Sequence, residues 1–555
     1  MTVTVRWVAG VASEAHPERM SRHIRARVGS SLLGLALVLP LVAVMPAVAL
    51  AADFPAGFTG YHTYEELSAD ASAVAAAHPT IARKVAVGKS YQGRTIWAVK
   101  ISDNVGLDET EPEVLFDGGT HSDEHMGVEM ALKIVHWLAD GYGKDTRITN
   151  IVNSREVWVI LSVNPDGAAY DISGGKFHLW RKNRQPNAGT TAIGTDINRN
   201  FGYRWGGVGR TSTNPAAITY QGPSAFSTPE ARTVRDFLAS RVVNGRQQIR
   251  SAITFHEYGR LVMWPYGYTT ANIPADMTVD DHNALVLIGK HMAATNGYRP
   301  EQASDLYGTS GTTRDFEYGM YRIFAYTFEL SVKDYPDDSL IPAETGRNKE
   351  AVLYLIEHAG CPLAVLGAAT RIARCGAFDD DLEVARGWRV NLAGTDTATA
   401  GAWQRGDPAP TTTTSGRKQP DGVTSGRYGY VTGLAAGTSP AANDLDGGRT
   451  TTTSPTIRLP ATTGQKLQFS WSFAHDRTAT PADEFRVEIL DGSIATTVLI
   501  AKGAAIERNA GWHSALLDLS RWAGRTIRLR FSATDAGGSG IVEAAFDDVR
   551  VTQPQ

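Results

Sequence analysis

Between residues 61 and 358, short apolar runs alternate with helix-patterned segments, and this alternation narrows the fold more than any other feature of the chain. The runs TIWAVKIS, EVLFDGG, EVWVILSVNPDG, SAITFHEY and YRIFAYTFELS are almost continuously apolar at their centres, as strands covered on both faces must be. Segments such as 63–78 and 229–238 separate them. The pattern predicts an α/β layer fold with helices flanking a largely buried sheet. Beyond Cys375 the texture changes. GQKLQFSWSFAH alternates Leu467, Phe469, Trp471 and Phe473, EFRVEIL alternates Phe485, Val487 and Ile489, and TIRLRFSA alternates Ile527, Leu529 and Phe531. Short alternating strands among Gly, Thr and Asp turns predict a separate β-sandwich. The segment GDPAPTTTTSGRKQPDG reads as a loop inside it, and no internal repeat is present.

At 555 residues the chain is too long for one ordinary core. A net charge of −4 leaves no basic surplus for a nucleic-acid polyanion. The first 52 residues have the layout of an export leader. Arg22, Arg25 and Arg27 precede the apolar stretch SLLGLALVLPLVAVMPAVAL, and Ala49-Leu50-Ala51 has the small-x-small pattern of a cleavage site. Pro40 and Pro46 inside the stretch, and the lack of a basic stop after it, argue against a retained membrane anchor. Met1 and Met20 are both possible starts. Export would place Cys361 and Cys375 in an oxidising compartment, where their short spacing suits a disulfide; two unlinked buried thiols are the alternative. The predicted division is a leader over 1–52, an α/β domain over 53–362, a connector over 363–378 and a sandwich over 379–555.

The stretch DGGTHSDEHMGVEMALKIVHWLAD sets His121, Asp123, Glu124 and His125 within five residues, where the run EVLFDGG gives way to helical spacing of Val128, Ala131, Leu132, Val135 and Leu138. Folds of this class bind ligands at the carboxyl ends of their strands. A lone H-x-x-E is a weak signal, but here NPDG, LWRKNR, TDINRNFG, TFHEYGRLVMWPYGYTT, DLYGTSGTTRDFEYG and AYTFEL follow in order. With these motifs, residues 61–358 resemble the zinc carboxypeptidases of the pancreatic carboxypeptidase A type (M14). The resemblance implies a mixed twisted sheet flanked by helices and a single catalytic Zn²⁺. It implies that His121, Glu124 and His256 are the zinc ligands, with a fourth position open, and that Asp196 accepts a hydrogen bond from the first histidine. A local chelate by His121 and His125 at i, i+4 is the competing choice. Glu329 matches the family's general base and Arg181 its oxyanion-stabilising arginine. Asn198 and Arg199 match the pair that binds a terminal carboxylate, and Tyr307 a lid tyrosine.

Two departures qualify the resemblance. Asp123 stands where pancreatic members have an arginine, and Arg314 occupies the specificity position before the aspartate of GTTRDF. An arginine there would favour acidic C-terminal residues, unless Asp315 or Glu317 ties it up. The long inhibitory propeptide of the family has no counterpart before GYHTYEEL. The sandwich resembles jelly-roll modules of secreted bacterial hydrolases. Its acids Asp379, Asp380, Asp381, Asp547 and Asp548 are candidates for a structural Ca²⁺ site, with a solvated acidic edge as the plainer alternative. The expected activity is zinc-dependent removal of C-terminal residues from peptides and proteins outside the cell. Cleavage of peptidoglycan stem peptides, or a silent binding role on the same fold, are the alternatives.

Overall fold

The computed structural model describes residues 53–552 apart from 110, 244–245, 384, 436–442 and 538–539, so the expected leader lies outside the described residues. The apolar runs form one eight-stranded sheet. Its strands are β1 Ala82–Lys89, β2 Thr95–Ile101, β3 Glu113–Asp117, β4 Glu156–Ile160, β5 Ile249–Glu257, β6 Leu261–Trp264, β7 Arg299–Gln302 and β8 Phe324–Leu330. They lie in the order β1-β2-β4-β3-β5-β8-β6-β7. Strands β4, β3, β5 and β8 run parallel, while β1, β2 and the β8–β6 pair add antiparallel neighbours, so the sheet is mixed. The sequence pattern alone did not reveal β1, β6 or β7.

The main helices are α1 Tyr64–Ala77, α2 His125–Gly141, α3 Pro229–Ser240, α4 Val279–Asn296, α5 Thr313–Tyr321 and α6 Lys349–His358. α1 opens on a capping box in which Thr63 and Glu66 satisfy each other's backbone N–H. Alternate residues of each central strand enter opposite cores. Val114, Phe116, Val157 and Val159 join α2, α4 and α6 on one face. Leu115, Trp158 and Ile160 join Val234, Phe237 and Leu238 of α3 on the other. Both faces are therefore dry, which is why these strands read as apolar runs without alternation.

The second unit of packing spans residues 377–551 and has its own apolar core, including Phe469, Phe473, Phe485, Phe531 and Phe546. Two six-stranded antiparallel sheets build it. Phe469 of one sheet meets Phe531 of the other edge to face, with ring centroids 5.1 Å apart, so the alternating residues do face inward between two sheets. The segment expected as a loop instead contains a hairpin of Thr411–Thr413 and Gly416–Gln419. Its threonines pair well as strands, and the intervening turn residues do not interrupt them. The five acids expected to hold calcium each have partners within the protein. Asp379 pairs with Arg550 at 3.0 Å, Asp380 accepts from Trp388 at 2.9 Å, and Asp547 accepts from Thr424 at 2.8 Å. Asp548 accepts from the Ser425 hydroxyl at 2.7 Å, and Asp381 from the Glu383 backbone at 3.2 Å. Asp380, Asp547 and Asp548 are buried, whereas Asp379 is exposed and Asp381 half-buried.

Cys361 and Cys375 form a disulfide across 14 residues with Cα atoms 5.9 Å apart. It closes the segment between the two cores. Closing a loop of this length stabilises by about 3 kcal/mol. Replacing both cysteines by serine should lower unfolding stability by about that amount in denaturant titration, and an unchanged midpoint would show that the link is dispensable.

Candidate metal centre and active site

The chain after β3 turns at Gly118 and Gly119 and enters α2. A Cβ at Gly118 would lie 2.2 Å from the Gly127 carbonyl, and one at Gly127 would lie 2.9 Å from the Phe255 carbonyl. Only glycine lets the helix start approach the strand ends so closely. This approach carries His121 and Glu124 to His256 on β5. Glu124 is the N-cap of α2, yet its side chain caps no helical N–H. Glu257 of β5 does so instead, accepting from the Met126 N–H at 2.9 Å. Glu124 is thereby left to face the histidines.

The three side chains converge. Glu124 lies 2.7 Å from His121 Nδ1 through one carboxylate oxygen and 2.7 Å from His256 Nδ1 through the other, and the two Nδ1 atoms are 3.0 Å apart. All three residues are buried. The two facing Nδ1 atoms cannot both donate to one another, so at least one lone pair points into the shared space. Two imidazole nitrogens and a carboxylate meeting at one point fit a zinc ion, whose tetrahedral ligands at about 2.0–2.1 Å lie roughly 3.3 Å from each other. Contacts with both histidines hold the Glu124 carboxyl far below its usual range against the opposing effect of burial.

The competing chelate does not form. His125 turns away and meets Asp171 at 3.0 Å, on a carboxylate that also takes the Trp180 N–H at 2.7 Å and the Tyr335 hydroxyl at 3.0 Å. Asp171 was not singled out from the sequence, and nothing in its neighbourhood marks it. Asp196 stands 3.1 Å from His121 Nε2 and 3.2 Å from Arg181 Nε, and it also accepts the Asn198 N–H at 3.0 Å. It is the N-cap of the turn Ile197–Arg199, which explains the acid-x-Asn order of TDINRN. An acceptor on the far nitrogen fixes the tautomer in which Nδ1 is the ligand. Arg181 donates to Glu124 at 3.2 Å as well as to Asp196, and these acids hold it charged.

Glu329 pairs directly with His256 across the parallel strands β8 and β5. It is partly exposed toward the site, and enclosure by the surrounding protein pushes its pKa up. The Asn198 amide nitrogen lies 3.3 Å from His256 Nε2, and its oxygen accepts the Thr313 N–H at 3.0 Å, linking the metal centre to the start of α5. Arg199 is buried and braced by the carbonyls of Arg210 and Asn198 at 2.7 and 2.8 Å. The Arg210 guanidinium lies 4.7 Å above the Tyr307 ring. Arg314 is buried, donates to Thr327 at 2.9 Å and lies 3.2 Å from Asp315. Asp315 in turn holds the Gly267 N–H at 2.9 Å. Arg314 thus has an acid and a hydroxyl as its partners. Asp123 sits beside the centre, and burial raises its pKa to about 6.

The sequence profile of the zinc carboxypeptidase family matches residues 67–351, and the chain belongs to that family. A zinc carboxypeptidase of Saccharothrix mutabilis subsp. capreolus is 43% identical over 57% of this chain and 73% of its own length. Carboxypeptidase A2 of Mus musculus is 31% identical over 50% of this chain and 64% of its own, just under two thirds of that relative. The crystal structure of carboxypeptidase A from Helicoverpa armigera aligns with a TM-score of 0.47 at 26% identity, over 54% of this chain and 73% of that one. The family match ends before the sandwich begins.

If the three converging side chains are the ligands, the purified protein should carry one zinc per chain after dialysis. His256→Ala and Glu124→Gln should lose it, while His125→Gln should keep it. Asp196→Asn should weaken zinc about 10- to 100-fold in competition with a chromophoric chelator. Loss of zinc in the His125 variant alone would reverse the assignment.

Proposed function

We propose that this protein is an exported carboxypeptidase that removes the C-terminal residue of peptides and proteins, with Glu329 as general base. The observation that carries the reading is the triad of His121, Glu124 and His256 beside Glu329 at the carboxyl ends of parallel strands. Zinc held by the triad would lower the pKa of water toward about 7 and polarise the scissile carbonyl. Glu329 takes the proton of the attacking water at its carboxylate and returns it to the departing amine. Arg181, held charged and oriented by Asp196 and Glu124, donates to the oxyanion as it develops. Arg199 and Asn198 receive the terminal carboxylate, for which a charged, braced guanidinium is the natural donor. Tyr307, whose ring lies 4.7 Å from the Arg210 guanidinium, is the candidate lid residue.

Export is supported by the leader pattern of residues 1–52 and by the disulfide, which suits an oxidising compartment. Among the described residues no helix is long and apolar enough to cross a membrane. Arg314, at the family's specificity position, stays close to Asp315 at 3.2 Å and donates to Thr327. It would repel terminal Lys and Arg and attract terminal Glu.

Glu329→Gln should retain zinc while kcat falls about 100- to 10,000-fold. A Gln variant with near-wild-type kcat would remove Glu329 from the mechanism. For the pocket, kcat/KM should rank substrates ending in Glu above those ending in Lys, and Arg314→Ile should shift preference toward Phe. A Phe preference already present in the wild type and unchanged by the substitution would contradict the role of Arg314.

A further inference from the structure

A second group of acids lies where the sandwich meets the α/β domain. Asp103, Glu109 and Glu111, in the segment between β2 and β3, each present a carboxylate oxygen within 4.8 Å of the others. Glu111 is 1% exposed, and neither of its oxygens has a hydrogen-bond partner among the described residues. The same holds for both oxygens of Asp103 and for Oε2 of Glu383, a buried residue from the sandwich side. One loop joins these side chains. Gly426 donates its N–H to Glu109 at 2.9 Å, and the next two N–H groups, of Arg427 and Tyr428, go to Glu383 Oε1 at 2.8 and 2.6 Å. Asn104 donates its side-chain N–H to the Gly426 carbonyl. Gly426 has φ +64°, and a Cβ there would lie 2.3 Å from the Glu383 carboxyl carbon. The glycine therefore lets carboxylates of the two domains approach from either side.

A neighbouring cluster shows how this protein normally neutralises such acids. Asp108, Glu113 and Glu156 also converge, but Arg241 lies 2.5 Å from Glu113 and Lys100 lies 2.7 Å from Glu156. Among the described residues no cation pairs directly with the first group, although the charges of Arg155 and Arg427 reach Glu111 and Asp103 from farther away. Arg155 is turned to the carbonyls of Ser154 and Glu357, and Arg427 pairs with Asp407 at 3.1 Å. Buried charge without a partner is costly. Burial and the neighbouring carboxylates push the Glu111 pKa up, so protons and a bound cation compete for these oxygens. Oxygens about 2.4 Å from a common calcium ion lie up to about 4.8 Å apart.

We propose that a divalent cation, calcium by the all-oxygen donor set, binds between the domains and fastens the sandwich to the α/β domain, with Asp103, Glu109 and Glu111 supplied by one and Glu383 by the other. Glu109 and Glu111 also line an open cavity between the domains, through which the ion can reach them. The inference is independent of the hydrolytic chemistry, since none of these residues touches the zinc centre. The junction site shares no residue with the five sandwich acids singled out from the sequence.

The test uses the full zinc-loaded protein in chelating-resin-treated buffer with added CaCl₂. Calorimetric titration should give one saturable calcium per chain, and thermal unfolding should shift upward on adding it. Calcium should also slow amide exchange in residues 424–428. Glu111→Gln and Glu383→Gln should each weaken calcium at least tenfold while leaving kcat/KM at saturating calcium within twofold. Without calcium both variants should be at least as stable as the wild type, because each removes a repelling charge; this separates loss of the ion from misfolding. No calcium response, or a response that survives both substitutions, overturns the site. A response abolished by Glu111→Gln but untouched by Glu383→Gln overturns the link between domains.

Discussion

The parallel pairing of β5 with β8 is the constraint on which the active site depends. It sets His256 beside Glu329 on adjacent strands, about 4.8 Å apart in the backbone. A slip of one residue would send either side chain to the opposite face. The neighbours enforce the register, since Phe255 and Phe328 are fully buried in the core beneath α2. Burying one such side chain contributes about 1.5–3 kcal/mol. Packing thus holds the catalytic geometry without any catalytic residue contributing to it.

The histidine and acid from the β3–α2 turn are added to this frame by a different device. Two glycines bring the helix start against the sheet, and Glu257 caps the helix so that Glu124 need not. Asp196 then orients His121 and Arg181 together. One carboxylate links the metal centre to the group proposed to steady the oxyanion, so a change at Asp196 should disturb both. Such a concentration of buried charge is unfavourable for folding alone and becomes favourable with a bound cation. The acids at the domain junction obey the same logic.

The dry central strands were legible because both faces are covered, leaving near-continuous apolar runs in EVLFD and EVWVI. The sandwich strands were legible from strict alternation in residues 467–473 and 485–489. The edge strands were not. Arg299–Gln302 contains proline and charged residues, and its membership of the sheet is decided by its neighbours. Ordered motifs marked His121, Glu124, His256 and Glu329, whereas Asp171 and the junction acids are brought together only by the fold. Asp103, Glu109 and Glu111 lie within nine residues of one another in sequence, but Glu383 joins them from 272 residues further on. No local pattern encodes that meeting. For the sandwich acids, sequence proximity on paired strands says nothing of the hydroxyls and indole that they meet in the fold.

The most direct measurement is product analysis on matched peptides that end in a free carboxylate or an amide. Losing a charged hydrogen bond to Arg199 costs roughly 1.5–3 kcal/mol, or about tenfold to more than a hundredfold in kcat/KM. The free-acid peptide should release single residues from its C-terminus, and the amidated one should be slower by that factor. Equal rates on both, or internal cleavage products, would contradict the account.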